Sequence, residues 1–462
     1  MSCRFLLLAF LPSLVFAQEP SQVPPPSAAA DSLAEKRARI VGVVVQGNRR
    51  TKPEIILREM FTQVGDSLDY LVIWRRDAGN GMFTQVGDSL DPQLVEADRK
   101  RIQNLGLFNR VEIQTLALEK GVLLIVNVSE SWYFFPFPII FYSENDVKKL
   151  SYGLGVVHLN FRGRAEQLQF SGWLGYNPGL QVGYRNPWIV GNAHLFTTTR
   201  FYYVRQRSKS LSDVDERHIG GAWTIGKRYS KRTYVSVTLG YRQVKFDPPV
   251  RGETLNPSGN DRLPEIGVNV LYDTRDLYEY PRQGTFLRVF ARRVGFGDPN
   301  VHYWRYGADV RSFRPLIGGL SFCTRVYGDL SSGHLPIYDR VFFGFGNRLR
   351  GYYHETSEGK NLLFGSAELR LPLLPIRYFN LSRKTGFLGP YARNLKFGIS
   401  MAAFADTGKL WFQFQTMRTW NFLSGYGLSL DLHLPYVELL RLTYAVNDQG
   451  RGEALLIAGV SF

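Results

Sequence analysis

The chain has 462 residues, room for several domains or one large barrel, with a formal net charge of +16, 14% aromatic residues and 45 glycines. Beyond its amino-terminal segment it has no apolar run of about 18 residues or more, which excludes membrane-spanning helices. Without that segment Cys323 is the only cysteine, which excludes a disulfide framework or a thiolate metal site within one chain.

The chain opens MSCRFLLLAFLPSLVFAQ, with basic Arg4, an apolar run from Phe5 to Phe16 and small Ala17. This predicts a secretory signal peptide over residues 1–17, its apolar run too short to span a bilayer. An exported basic chain rarely meets nucleic acid, so its charge fits anionic lipid head groups better. Residues 18–37 (QEPSQVPPPSAAADSLAEK and Arg37) are rich in Pro, Ser and Ala and read as a flexible leader.

Residues 38–130 change character. RIVGVVVQGN is a strand ending in a Gly47-Asn48 turn, and TKPEIILREM is a helix with Thr51 as N-cap and Ile55, Ile56 and Met60 on one face. DPQLVEADRKRIQNLGLF is a second helix, capped by Asp91 and stopped by Gly106, with Leu94, Ala97 and Ile102 near one face. NRVEIQTLAL and GVLLIVNVSE alternate as a hairpin. Strand, helix, helix, strand, strand make one small soluble α+β domain. Inside it MFTQVGDSLD occurs at Met60–Asp69 and again at Met82–Asp91. A working repeat needs several copies to stack, so the second copy reads as a local duplication between the helices, without chemistry of its own.

From Ser131 to Phe462 strand follows strand. GYGLSLDLHL sets Tyr426, Leu428, Leu430, Leu432 and Leu434 against Gly427, Ser429, Asp431 and His433, and YVSVTLGYR, IGVNVLYD and LRLTYAV alternate likewise. Greasy outside and polar inside is the pattern of a transmembrane antiparallel β-barrel; a soluble β-sandwich has the same period but does not explain the export signal and the aromatic content. About 330 residues hold about sixteen strands of ~9–11 residues with their loops.

The V-x-V-x-G-N turn, the G-D-S-L connection and the L-G-L-F stretch resemble a POTRA domain, the periplasmic module of the BamA/TamA-type outer-membrane assembly proteins. Leu349-Arg350-Gly351-Tyr352 resembles that family's Val-Arg-Gly-Phe/Tyr signature, with leucine in place of valine. LNFRGRAEQLQF (Asn160, Gly163), YRNPW and YDTRDLYEYPRQG (Asp273, Arg275) resemble its hairpins and turns, and the terminal Phe462 its closing-strand signal. The resemblance implies that the loop bearing Arg350, Gly351 and Tyr352 folds into the lumen, where the arginine meets acidic residues. Alternation independently turns Ser366, Glu368 and Arg370, and Ser400 and Asp406, inward, so Glu368 and Asp406 are the expected partners.

WYFFPFPIIFY is the expected first barrel strand. Pro136 and Pro138 would turn two missing donors to one edge, weakening a seam with the closing segment Leu455–Phe462. A linker ahead of the strand is the alternative for both prolines. Seven histidines form no H-x-x-x-H or H-E-x-x-H pattern, and neither a G-x-S-x-G elbow nor a P-loop is present, so no catalytic residue, metal or cofactor is expected. His433 shares the inner face with Ser429, out of reach of lipid esters.

The resemblance implies a Gram-negative outer-membrane protein that inserts or exports unfolded polypeptides through an openable seam, aided by local membrane thinning. Outer-membrane lipids and periplasmic chaperones or accessory lipoproteins are its expected partners, and nucleic acid is not. A two-partner-secretion type pore, and a passive channel or surface antigen on the same fold, are the alternatives.

Overall fold

A computed structural model describes residues 40–61, 72–75, 80–83, 92–118, 121–142, 147–208, 210–211, 213–250, 253–296, 300–343, 349–353, 357–381, 391–413, 421–436 and 439–458. The predicted signal peptide, the leader, Asp91 and Phe462 lie outside these residues.

The amino-terminal domain contains β1 (Ile40–Gln46), α1 (Pro53–Leu57), α2 (Pro92–Gln103), β4 (Phe108–Leu118) and β5 (Gly121–Glu130). β5 lies between β1, parallel to it, and β4, antiparallel to it. Alternate residues of these strands meet the helices in one core that includes Val43, Val45, Ile56, Met60, Ile102, Leu124 and Val126. Gly47 turns the chain out of β1 with φ +85°, and a Cβ there would stand 2.0 Å from the Val128 carbonyl oxygen, so glycine is required.

Two details differ from the sequence reading. Thr51 does not cap α1, whose N-cap is Lys52 without a side-chain hydrogen bond. The Thr51 hydroxyl is instead engaged by Tyr133 (2.9 Å) and by the Asn160 amide (2.9 Å), both across the border with the barrel. The duplicated stretch also contains two strands, β2 (Val72–Arg75) and β3 (Asn80–Phe83). β3 pairs antiparallel with β1, Val43 opposite Phe83, giving a five-stranded order β2-β3-β1-β5-β4.

The remainder is a sixteen-stranded antiparallel barrel. Its strands are β6 (Phe134–Tyr142), β7 (Leu150–Phe161), β8 (Glu166–Gly175), β9 (Gly179–Asn186), β10 (Leu195–Arg207) and β11 (Asp215–Arg228). There follow β12 (Thr233–Asp247), β13 (Asn260–Asp273), β14 (Gly284–Val294), β15 (Tyr303–Pro315) and β16 (Ser321–Gly333). The last five are β19 (Asn361–Phe379), β20 (Leu395–Trp411), β21 (Leu423–His433), β22 (Leu440–Asn447) and β23 (Gly452–Ala458). Between β16 and β19 a small hairpin, β17 (Val341–Phe343) with β18 (Ser357–Gly359), forms a separate sheet.

Period-two alternation decides which side of the wall each residue sees. Tyr426 and Leu428 are exposed on the outer side, while Ser429, Asp431 and His433, at the alternate positions that follow, are buried inside. At the end away from the soluble domain, Val244, Phe246, Leu263, Val294 and Tyr303 pack with loop residues Leu255, Leu335 and Ile337. Arg242 is bonded there to Asp339 of the β16–β19 connection, drawing that long loop toward the barrel axis.

Candidate functional site

The β16–β19 connection brings Leu349–Tyr353 against the inner wall, where Leu349, Arg350 and Tyr352 are all buried. The Arg350 guanidinium meets Asp406 with both arms of its fork, Nε to Oδ2 at 2.7 Å and Nη2 to Oδ1 at 2.6 Å. Its remaining nitrogen donates to Glu368 at 2.9 Å, and the Phe404 ring lies 3.6 Å beneath its carbon. Ser366, directly opposite Asp406 in the ladder, completes the shell with a 2.6 Å bond to Asp406 and a 3.1 Å bond from Arg350.

Glu368 is the hub. Besides Arg350 it accepts from Arg370 Nε (2.6 Å) and from Arg441 Nη1 and Nη2 (3.0 Å each). Arg441 grips Asp431, its cross-strand partner, with Nη2 at 2.8 Å. Three guanidiniums face three carboxylates, so the cluster is neutral while almost wholly withdrawn from water, the condition under which buried charges are tolerated. Arg370 also lies over the Tyr280 ring at 4.6 Å and donates to the Pro281 carbonyl. Alternation alone turns Arg370, Asp431 and Arg441 inward; the register of β19 to β22 was needed to bring them to one point.

The loop backbone is held as firmly. Gly351 and Tyr353 donate their N–H groups to Glu453, Gly351 at 2.7 Å, and the Tyr352 hydroxyl reaches Asp448. Gly351 has φ +98°, where a side chain is strained. Across from it Gly425 has no side chain, and a Cβ there would stand 1.9 Å from the Arg350 carbonyl oxygen. His433 pairs with Ser400 at 3.0 Å, and Ser429 with Thr443 instead.

Pro136 and Pro138 lie within β6, paired opposite Val156 and Leu154 of β7, not in a linker ahead of it. Tyr133, one residue before the strand, accepts the Leu159 N–H at 2.9 Å. Odd-numbered residues therefore bond to β7, and even-numbered ones turn their backbone groups to the other edge. Both prolines remove donors from that edge. β6 and β23 are the two ends of the sixteen-strand ladder, and among the described residues no ladder joins them.

The soluble domain docks on the near rim. Lys52 N–H bonds to the Gly163 carbonyl at 3.0 Å, Asn104 reaches the Asp276 carbonyl, and Asn109 the Tyr391 carbonyl. Glu130 accepts the Thr51 N–H at 2.7 Å, fixing the turn that carries these contacts. At the centre Glu59 receives two bonds from Arg228 of the barrel, at 2.6 and 2.8 Å, and one from Arg101 at 3.0 Å. Burial pushes the Glu59 carboxyl up, but the bonds and charge of Arg228, with Arg101 and Arg58, hold it down at about 2. The helix pattern of residues 53–60 contains no sign of this role, because the decisive partner lies 169 positions away.

Glu59→Gln is expected to weaken docking by about 3 kcal/mol, the scale for removing one partner of a buried ion pair. Faster proteolysis between the domains, with the barrel intact, would register it. Because the folded carboxyl sits below its ordinary 4.5, the stabilisation is complete above pH 4.5 and is lost as pH falls toward about 2.

Residues 160–454 match the Omp85 superfamily domain and residues 38–131 the POTRA family, described as a surface antigen variable number repeat. Among curated proteins the chain is 22% identical over 382 residues to "Outer membrane protein assembly factor BamA" of Neorickettsia risticii (strain Illinois), covering 74% of this chain and 46% of that protein. The chain thus spans about half the length of this relative. Among solved structures it is similar to BamA from Haemophilus ducreyi lacking POTRA domains 1–3, with TM-score 0.50 and 15% identity, over 90% of this chain and 82% of that one. It is also similar to CdiB from Escherichia coli, with TM-score 0.52 and 13% identity, over 95% of this chain and 92% of that one. At such identities the structural likeness concerns the fold.

Proposed function

Because the chain belongs to the Omp85 superfamily, we propose that it resides in the outer membrane of a Gram-negative bacterium and inserts or exports other polypeptides through the junction of β6 and β23. Unfolded outer-membrane or secreted chains are the substrates, surrounding lipids take part, and periplasmic chaperones or accessory lipoproteins deliver clients. No nucleotide or other cofactor is called on. The observation that carries the reading is the pair of prolines, Pro136 and Pro138, on the edge of β6 that would have to pair at the junction.

Each missing ladder bond is worth about 1 kcal/mol, so the prolines lower the cost of parting the strands by about 2 kcal/mol. A client strand can then add to the exposed edge with its own main-chain bonds. The buried cluster around Arg350 anchors the lumen loop across β19–β22, so that the wall beside the junction keeps its shape while the junction opens. In the soluble domain β3 pairs with Val43 and Val44 on the outer edge of β1, while β4, 11 residues long, is the long free edge for an arriving strand.

The test is Pro136→Val with Pro138→Val, assayed by insertion of a client barrel into lipid vesicles. Two restored donors are expected to slow insertion roughly ten- to thirtyfold. An unchanged rate would sink the seam reading and favour passage through the lumen, a second reading supported by the open hollow between β8 and β14 described next.

A further inference from the structure

The lumen is not uniform. On the β15–β22 side its arginines are matched: Arg305 with Asp329, Arg311 and Arg325 with Asp309, and Arg350, Arg370 and Arg441 as above. The opposite wall, from β8 to β14, encloses a cavity of about 500 Å³ lined by Arg185, Arg200, Arg288 and Arg292 but by a single carboxylate, Glu265. That carboxylate stands 3.5 Å from Arg292. Arg185, Arg200 and Arg288 are exposed to the cavity and, among the described residues, have no carboxylate partner. Arg288 is held in place by a 2.6 Å bond from its Nε to Asn269, which leaves the outer nitrogens of its fork free to face the hollow.

The hollow has a cause in the sequence. Inward positions on neighbouring strands are held by Gly183, Ala222, Gly240 and Gly267, which project little or no side chain into the lumen. The Glu265 side chain lies across Gly240, where an added Cβ would stand 2.5 Å from its Cγ, and Gly267 stands opposite Arg292 in the ladder. Small residues thus open the space, and arginines on either side reach into it. Gln169, Gln181 and Thr198 supply neutral hydrogen-bonding groups around them.

We propose that this hollow is a binding site for a small multivalent oxyanion, a solute bearing several phosphate or carboxylate groups. The guanidinium fork matches either group, and an arginine-lined lumen with low-dielectric walls concentrates anions. The volume suits a small molecule. The inference goes beyond polypeptide transport and does not depend on the seam.

The test is isothermal titration calorimetry on the full chain in detergent micelles at low salt. Inorganic triphosphate is the probe in one arm and citrate in the other, which distinguishes phosphate from carboxylate as the preferred source. Saturable binding in either arm is expected, weakened about tenfold or more by Arg200→Gln with Arg288→Gln, since each removes charge-assisted hydrogen bonds. Glu265→Gln, which removes the one lining carboxylate, is expected to tighten binding severalfold. This opposite sign cannot come from misfolding. Absence of binding in both arms, affinity unchanged by the double substitution, or weaker binding in Glu265→Gln would each overturn the site.

Discussion

Glu368→Gln is expected to lower the unfolding free energy of the barrel by about 3–5 kcal/mol, the usual cost of removing one partner from a buried ionic network. The side chain keeps its shape, so the loss is electrostatic. One carboxylate now receives three guanidiniums, and the substitution leaves three positive charges facing only Asp406 and Asp431. An amide also has one acceptor oxygen where the carboxylate used both. The midpoint of urea unfolding, followed by the heat-modifiable gel mobility of folded barrels, measures the loss. Glu265→Gln, on the open side of the lumen, serves as the reference and should cost less than about 1 kcal/mol, as partly exposed ion pairs do. Equal midpoints for the two variants would show that the cluster does not support the barrel.

Gly425→Val is expected to expel the lumen loop. A Cβ at this position meets the Arg350 carbonyl oxygen at 1.9 Å, and a backbone atom cannot turn aside as a flexible side chain would. Ordinary overpacking costs about 1–3 kcal/mol. Here relief requires Arg350 to leave Asp406 and Glu368, so the cost approaches that of the broken ionic network. Trypsin gives a direct reading, because Arg350 is buried in the wild type and should resist cleavage. Cutting after Arg350 in Gly425→Val, but not in Gly365→Ala, is the expected result; Gly365 has only ordinary contact with Thr407 at 3.4 Å. Continued resistance in Gly425→Val would mean that the loop tolerates the intrusion.

The wall of the barrel was legible in the sequence because a strand declares its two faces every second residue. Leu428 against Ser429, and Leu369 against Glu368, needed no structure to sort. The partnerships were not, because register between strands is a property of the whole sheet. Arg441 and Glu368 lie 73 positions apart, and no local pattern brings them together. Arg350, Glu368 and Asp406 were suggested by resemblance and alternation, and the structure places them within hydrogen-bonding distance. Thr51 was misassigned for a related reason: a threonine ahead of Pro53 looks like a cap until Tyr133 and Asn160 come from the other domain to claim its hydroxyl. Phe462, the proposed end of the seam, lies outside the described residues.

The copied decapeptide also has an outcome that its letters do not announce. A border strand such as β1, left bare, offers a row of unsatisfied amides and carbonyls that can recruit a neighbouring molecule and begin aggregation. The inserted chain pairs with part of that row, β3 lying opposite Val43 and Val44, and β2 follows on its outer side. The β1–β5 pairing stays in place beneath the insertion, and the bare border on this side passes from the seven residues of β1 to the four of β2, a short edge being the less inviting template.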